Sequence, residues 1–398
     1  MEQISKRLSA LAASQTLAMS QKSNELKAAG KDVINLSIGE PDFNTPDYVK
    51  DAAKKAIDDN FSFYSPVGGY KDLLEAVCAK LKRENNLTYS TSQIVVSAGA
   101  KHALSNVFLS LLNPGDEVLI PTPYWVSYPE MVKLAEAKPV FIPTNIKSGF
   151  KVTAAQVEKT ITSKTRMFVF SSPSNPCGAV YTKQELADLA NLFAKNPQIF
   201  VVADEIYEHI NYVGEHQSIA QFEEIKNQVV IVNGVSKAYA MTGWRIGYIA
   251  APEWVAKACT KLQGQVTSGV CSIAQKAAVA ALNGGLEYPK QMTAAYLRRR
   301  DMFIAELSKI EGLNIHIPDG AFYVFAEVTA FLGKTAPDGT VIKKSGDLAM
   351  YLLTEGLVAS VSGEGFGNPE CIRFSFATSD ELLKKAAERI KVALEKLK

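Results

Sequence analysis

Metal-ligand and disulfide spacings are missing from this chain of 398 residues. The five cysteines, Cys78, Cys177, Cys259, Cys271 and Cys371, are odd in number and widely spread, with no Cys-x-x-Cys pair. That excludes a disulfide framework or a zinc knuckle as the organising device and makes packed free thiols the default, Cys177 included. The four histidines, His102, His209, His216 and His316, share no ligand spacing, so structural roles and no metal are expected. Net charge is small: 43 Lys and Arg against 41 Asp and Glu leave +2. Such a balance offers nothing to nucleic acid or to an acidic membrane surface. No apolar run approaches the roughly 18 residues of a membrane span. The segment Met1–Lys22 is mixed polar and apolar, without the apolar centre of a signal peptide, so a cytoplasmic protein is expected. Repeats and low-complexity stretches are absent as well.

What is present is an ordinary globular composition, 47% hydrophobic and 21% charged. The length exceeds one ordinary core and predicts two domains. Residues 1 to about 30 read as a helical arm, followed by a short strand at Val33–Ile38. Apolar runs near Ile94–Ala98, Glu117–Ile120, Pro139–Pro143, Arg166–Ser171, Ile199–Ala203, Val229–Val232 and Ile246–Ala250 then alternate with helical patterns such as Lys101–Leu112 and Thr182–Lys195. This alternation predicts an α/β fold with a mainly parallel sheet flanked by helices. After about Gly284 the pattern becomes α+β. A long polar helix, Leu286–Lys309, carries Arg298-Arg299-Arg300, read as a solvated face. The expected division is 1–46 as an arm and part of the small domain, 47–284 as the large domain and 285–398 as the small domain.

In open parallel sheets, ligands bind beyond the carboxyl ends of the strands, and the chemistry-bearing residues collect there. Lys237 follows the buried run Val229–Val232. Desolvation at such a place lowers an amine's pKa and frees it as a nucleophile. Arg245, eight residues on, offers a bidentate grip for an anion. An amine with an anion clamp is what pyridoxal phosphate needs; a surface Lys and Arg on a loop is the alternative. Asp204 follows another buried strand, Ile199–Ala203, and needs a partner if buried: a protonated pyridine nitrogen, or a helix that it caps. Tyr207 is a donor to the cofactor's phenolate oxygen or a core tyrosine. Asn175, in the loop Ser171-Ser172-Pro173-Ser174-Asn175-Pro176-Cys177-Gly178, is a second donor or part of a plain turn. The turn Gly99-Ala100-Lys101 opens a helix and suits a phosphate. Trp125 stacks on a planar ring or fills core. Arg373, flanked by apolar residues, pairs with a substrate carboxylate or with a structural acid.

With Asp204, Asn175, Lys237, Arg245 and Arg373 in place, the chain resembles the fold-type I pyridoxal-phosphate enzymes, and among them the class I (subgroup Ib) aspartate aminotransferases. The likeness runs from Asn35 to Ser379. It is carried by Gly39-Glu40-Pro41-Asp42-Phe43, by Pro121 to Pro129, by Asp204-Glu205-Ile206-Tyr207-Glu208 and by Ala240 to Gly247. The resemblance implies pyridoxal 5′-phosphate as cofactor and a ping-pong exchange between L-aspartate and 2-oxoglutarate. Lys237 would form the Schiff base and move the Cα proton, Asp204 would hold the pyridinium, and Tyr207 and Asn175 would bond the phenolate oxygen. Ser236, Arg245 and Gly99-Ala100-Lys101 would hold the phosphate, and Trp125 would stack on the ring. Arg373 would clamp the α-carboxylate with Gly39 and Asn175 assisting, while Lys101 and Thr16 would serve the distal carboxylate. It also implies a homodimer with shared sites, in which Tyr64 reaches the partner's cofactor phosphate. Ala12 and Ala13 replace the Lys-Pro of many relatives, which weakens the case for prephenate, and Val266–Cys271 differs from relatives. The competing readings are an aromatic, prephenate or other aminotransferase, a C–S lyase on the same fold, and a non-enzymatic binding protein.

Overall fold

The computed structural model describes residues 4–12 and 15–398, and for 15–17 the backbone alone. Ala13 and the side chain of Thr16 therefore lie outside the described residues.

A sheet of seven strands dominates the first two thirds of the chain. Its spatial order is Ile94–Ser97, Gly247–Ala250, Val229–Gly234, Phe200–Asp204, Thr165–Ser171, Glu117–Pro121 and Lys138–Ile142. All neighbours pair in parallel except Gly247–Ala250, which is antiparallel to both of its partners. The alternation of side chains along a strand feeds two cores, one on each face. Val201, Ala203, Val229 and Ile231 enter one cluster, and Phe200, Val202, Val230 and Val232 the other. Helices cover both faces. Lys183–Ala194 starts at Thr182, whose hydroxyl accepts from Glu185 N while the Glu185 carboxylate accepts from Thr182 N, two orphan donors satisfied at once.

Parallel strands end at one edge, which is what concentrates the functional turns. The single antiparallel strand adds to that edge from the other direction. Gly247–Ala250 begins there, so Arg245 just before it arrives beside the ends of its neighbours.

The C-terminal part builds a second, antiparallel sheet in the order Val361–Ser362, Cys371–Ser375, Tyr323–Glu327 and Asn314–Ile315. Its core gathers Phe303, Val324, Ile372, Phe374 and Ile390, and takes in Ile34 and Leu36 from the start of the chain. Ile34–Asn35 pairs in parallel with Val358–Ala359. Beside that pair, Asp32 accepts hydrogen bonds from Lys385 at 2.7 Å and Arg389 at 2.6 Å.

Two local expectations change. The N-terminal arm is helical among the described residues, over Lys6–Ser9 and Gln15–Ala28, as expected. The strand expected over Val33–Ile38 shrinks to Ile34–Asn35, because Asn35 Oδ1 accepts from the Ser37 N–H and hydroxyl and turns the chain away. The basic run on Glu287–Leu307 is not a solvated face. Arg299 is buried and paired with Asp42 at 2.9 Å and Asp380 at 3.3 Å, Arg300 donates to Pro318 O, and Arg298 alone stays largely exposed. Two further helices, Glu253–Val266 and Ser272–Asn283, complete the cover of the large sheet.

Candidate active site

At the common strand edge lies a cavity of about 370 Å³. Lys237 enters it just after the end of Val229–Gly234, with Ser236 beside it. Asp204, the last residue of its strand, forms the floor with Tyr207. Asn175 comes from the loop after Thr165–Ser171, and Trp125 from the loop after Glu117–Pro121. Ala100 and Lys101 open the helix Ala100–Leu111, whose first N–H groups have no intrahelical acceptor. Gly39 and Arg373 reach in from the N-terminal segment and the second sheet. One predicted residue is not brought together with these: Tyr64 is 96% exposed and lies off the cavity of its own chain. The Thr16 side chain lies outside the described residues.

Glycine is required at the phosphate-type turn. Gly99 has φ +83°, and a Cβ there would collide with Arg245 Nη2. Arg245 itself is held by the carbonyls of Thr242 at 2.8 Å and Ala98 at 3.3 Å. The missing side chain at position 99 thus lets a guanidinium lie against free helix N–H groups, a cradle for a phosphate-sized anion.

The charged groups are held away from their ordinary states. Burial pushes the Lys237 amine down to about 8; Glu40 opposes this, while Arg373 and Arg245 add to it. Lys237 Nζ donates to Gly39 O. Burial pushes the Asp204 carboxyl up to about 6, against a hydrogen bond from Tyr128. Arg373 is 2% exposed and donates to Asn175 Oδ1 at 2.8 Å and Ser37 O at 2.7 Å, while its buried Nε has no partner among the described residues. Among the described residues no carboxylate pairs with it, so the structural-acid alternative for Arg373 does not hold. Taking the Asn175 oxygen also leaves the amide NH2 as that residue's outward donor. Lys101 is exposed, over the Trp125 ring at 5.1 Å, its pKa lowered by desolvation and by Arg245.

Several residues of the site carry only weak signals in the sequence. Tyr128 donates to Asp204 Oδ2 at 2.7 Å and meets Trp125 edge-on at 5.4 Å. Its signal is the Trp-x-x-Tyr spacing, which here closes a turn, the Tyr128 N–H donating to Trp125 O at 3.0 Å. Tyr323 shares a 2.7 Å hydrogen bond with Tyr207 and packs 4.4 Å from Arg373, and a Cβ on Gly39 would lie 2.6 Å from its hydroxyl. A tyrosine leading the apolar run Val324-Phe325-Ala326 is the hint. Glu40 also lines the cavity and accepts from the Thr242 hydroxyl at 3.1 Å. Two of the histidines read as structural lie against acids: His209 meets Glu84 at 2.8 Å and His216 lies 3.3 Å from Glu205.

Comparison with known proteins agrees with this geometry. Residues 31–390 match the model of the family described as aminotransferase class I and II. A relative from Rhizobium leguminosarum bv. phaseoli, a probable aspartate/prephenate aminotransferase, is 48% identical over 96% of each chain. An aspartate aminotransferase from Bacillus subtilis is 47% identical over 99% of each. The crystal structure of the aspartate aminotransferase from Rhizobium meliloti superposes with a TM-score of 0.96 at 42% identity, covering 100% of both chains. The structure of the Thermus thermophilus aspartate aminotransferase with maleate gives 0.92 at 40% identity, covering 99% of this chain and 100% of the other. Cavity, cradle and relatives converge: this chain is an enzyme of the aminotransferase class I and II family.

Proposed function

We propose that the chain transfers the amino group of L-aspartate to 2-oxoglutarate, giving oxaloacetate and L-glutamate, with pyridoxal 5′-phosphate as its cofactor. The observation that carries the reading is the convergence, in one cavity, of the amine of Lys237, the buried carboxyl of Asp204, and two guanidiniums, Arg245 and Arg373. The residues fit that cofactor. The Gly99-Ala100-Lys101 turn with Ser236 and Arg245 would take its phosphate, Asp204 its ring nitrogen, Tyr207 and Asn175 its phenolate oxygen, and Trp125 one face of its ring. When bound, it supplies an aldehyde that captures amines and a protonated ring that draws electrons from the substrate Cα.

The chain's own residues do the rest. Lys237, partly neutral near pH 7–8, takes the proton from the substrate Cα on Nζ, a general-base contribution of about 10²–10⁴-fold. Gly39 O holds that amine when it is free. Arg373 binds the α-carboxylate through a guanidinium already fixed by Asn175 and Ser37. Lys101 at the mouth provides the second cation that a dicarboxylate needs. Maleate, which accompanies the Thermus thermophilus aspartate aminotransferase in its solved structure, is such a dicarboxylate. The expected assembly is a homodimer, with Tyr64 serving the partner's site.

Borohydride reduction with the cofactor, followed by peptide mapping, is expected to label Lys237; a label elsewhere, or none, overturns the assignment. A panel of amino donors with 2-oxoglutarate is expected to rank aspartate first. Prephenate belongs among the acceptors, since the Rhizobium leguminosarum relative carries it in its name; a higher rate with prephenate than with oxaloacetate would move the chain to that second reading.

A further inference from the structure

The Asp204 side chain is buried, the residue 5% exposed, and it accepts two hydrogen bonds among the described residues. Its Oδ1 accepts from the Ile206 N–H at 3.3 Å, and its Oδ2 accepts from the Tyr128 hydroxyl at 2.7 Å. Tyr128 is the first residue of the helix Tyr128–Leu134 and is 1% exposed. A buried phenol must give its proton to something, and the acceptor available is this carboxylate. The same ring stands edge-on to Trp125 at 5.4 Å and 81°. One side chain therefore touches both the group assigned to the ring nitrogen and the group assigned to the ring face.

We propose that Tyr128 is a positioning residue for the cofactor's ring nitrogen, holding Asp204 ionised and in one orientation so that its remaining lone pairs meet the pyridinium N–H. The proposal rests on the cofactor reading above. Without the phenol the carboxylate keeps one weak backbone bond, and burial then favours its neutral form, which offers a protonated nitrogen an uncharged acceptor in place of an ion-pair partner. A hydrogen bond to a charged acceptor is among the stronger ones, so its loss should be visible in affinity for the cofactor.

The test compares two ligands on cofactor-free protein: pyridoxal 5′-phosphate and its 1-deaza analogue, in which carbon replaces the ring nitrogen. Binding is read from tryptophan fluorescence. Tyr128→Phe keeps the ring against Trp125 and removes the hydroxyl alone. It is expected to weaken pyridoxal phosphate about tenfold or more and to leave the analogue's affinity unchanged. An equal loss for both ligands would mean that Tyr128 merely packs, and no loss for either would mean that the hydroxyl is idle; each result overturns the proposal. Should phenylalanine not be tolerated, 3-fluorotyrosine at 128 keeps packing and alters donor strength, and an affinity change confined to pyridoxal phosphate is again expected. Wild-type protein that binds neither ligand would refute the cofactor reading itself, a separate result.

Discussion

Asp204 and Glu208 are buried carboxylates four residues apart on one segment, and they are treated in opposite ways. Glu208 is surrounded by donors and cations. Lys80 bonds to it directly, Asn233 donates at 2.7 Å and Asn85 at 2.9 Å, and His209 lies beside it. Burial disfavours its charge, but Lys80 and the histidines outweigh burial and hold the carboxyl far below its usual range. Asp204 has one phenol and one backbone N–H, and burial wins. The fold therefore completes one ion cluster behind the sheet and leaves the other short of a cation at the cavity. The lesson is that a missing counter-charge, rather than burial as such, marks where a ligand belongs. Lys237 and Arg373 show the same incompleteness with the sign reversed.

The hardest blow to the cavity side is Lys237→Ala, which should lower turnover by more than about 10³-fold in a coupled oxaloacetate assay while circular dichroism stays unchanged. Wild-type rates in that variant would sever the link between unpaired charge and chemistry. The two carboxylates should then respond oppositely to neutralisation. Glu208→Gln leaves Lys80 only the more distant Glu84 carboxylate at 3.7 Å and the Asn85 amide oxygen at 2.7 Å, and is expected to cost about 1–3 kcal/mol of stability, read by urea denaturation. Asp204→Asn removes a penalty instead. With the carboxyl at about 6 in the fold against an ordinary 3.8, the charge costs ~3 kcal/mol above pH 6. Cofactor-free Asp204→Asn should thus be more stable than wild type at pH 7, though inactive. The sign can be followed with pH. Below about pH 4 both folded and unfolded carboxyls are protonated and the advantage vanishes; it grows as pH rises from 4 to 6 and is then constant. A constant gap across that range would refute the account. Smallest is Lys101→Ala at the exposed rim, expected to reduce kcat/KM about tenfold for aspartate with little change for alanine; equal losses would relocate distal-carboxylate recognition.

How much of this the sequence disclosed follows from what each feature depends on. Val229–Val232 and Val201–Ala203 were legible because strands covered on both faces must be continuously apolar, and Lys237 and Asp204 stand out by following them. The Gly99-Ala100-Lys101 turn was legible as a helix start. That Gly247–Ala250 runs against its neighbours was not, since periodicity carries no direction. Arg373 stayed ambiguous in the sequence because its partners, Asn175 and Ser37, are distant in the chain. The Tyr128–Asp204 bond was hidden for the same reason, and the Arg299 pairing with Asp42 and Asp380 turned an apparent surface run into a buried one. Contacts across long sequence separations are what local pattern cannot supply.

Ser37 takes its hydrogen bond from Arg373, Ile34 lies alongside Val358, and Asp32 is gripped by Lys385 and Arg389. During synthesis those early residues leave the ribosome with no mate and wait for almost the whole chain to follow. A nascent protein halted before position 373 would own a finished large sheet with its lysine in place and a cleft still lacking the arginine for the α-carboxylate.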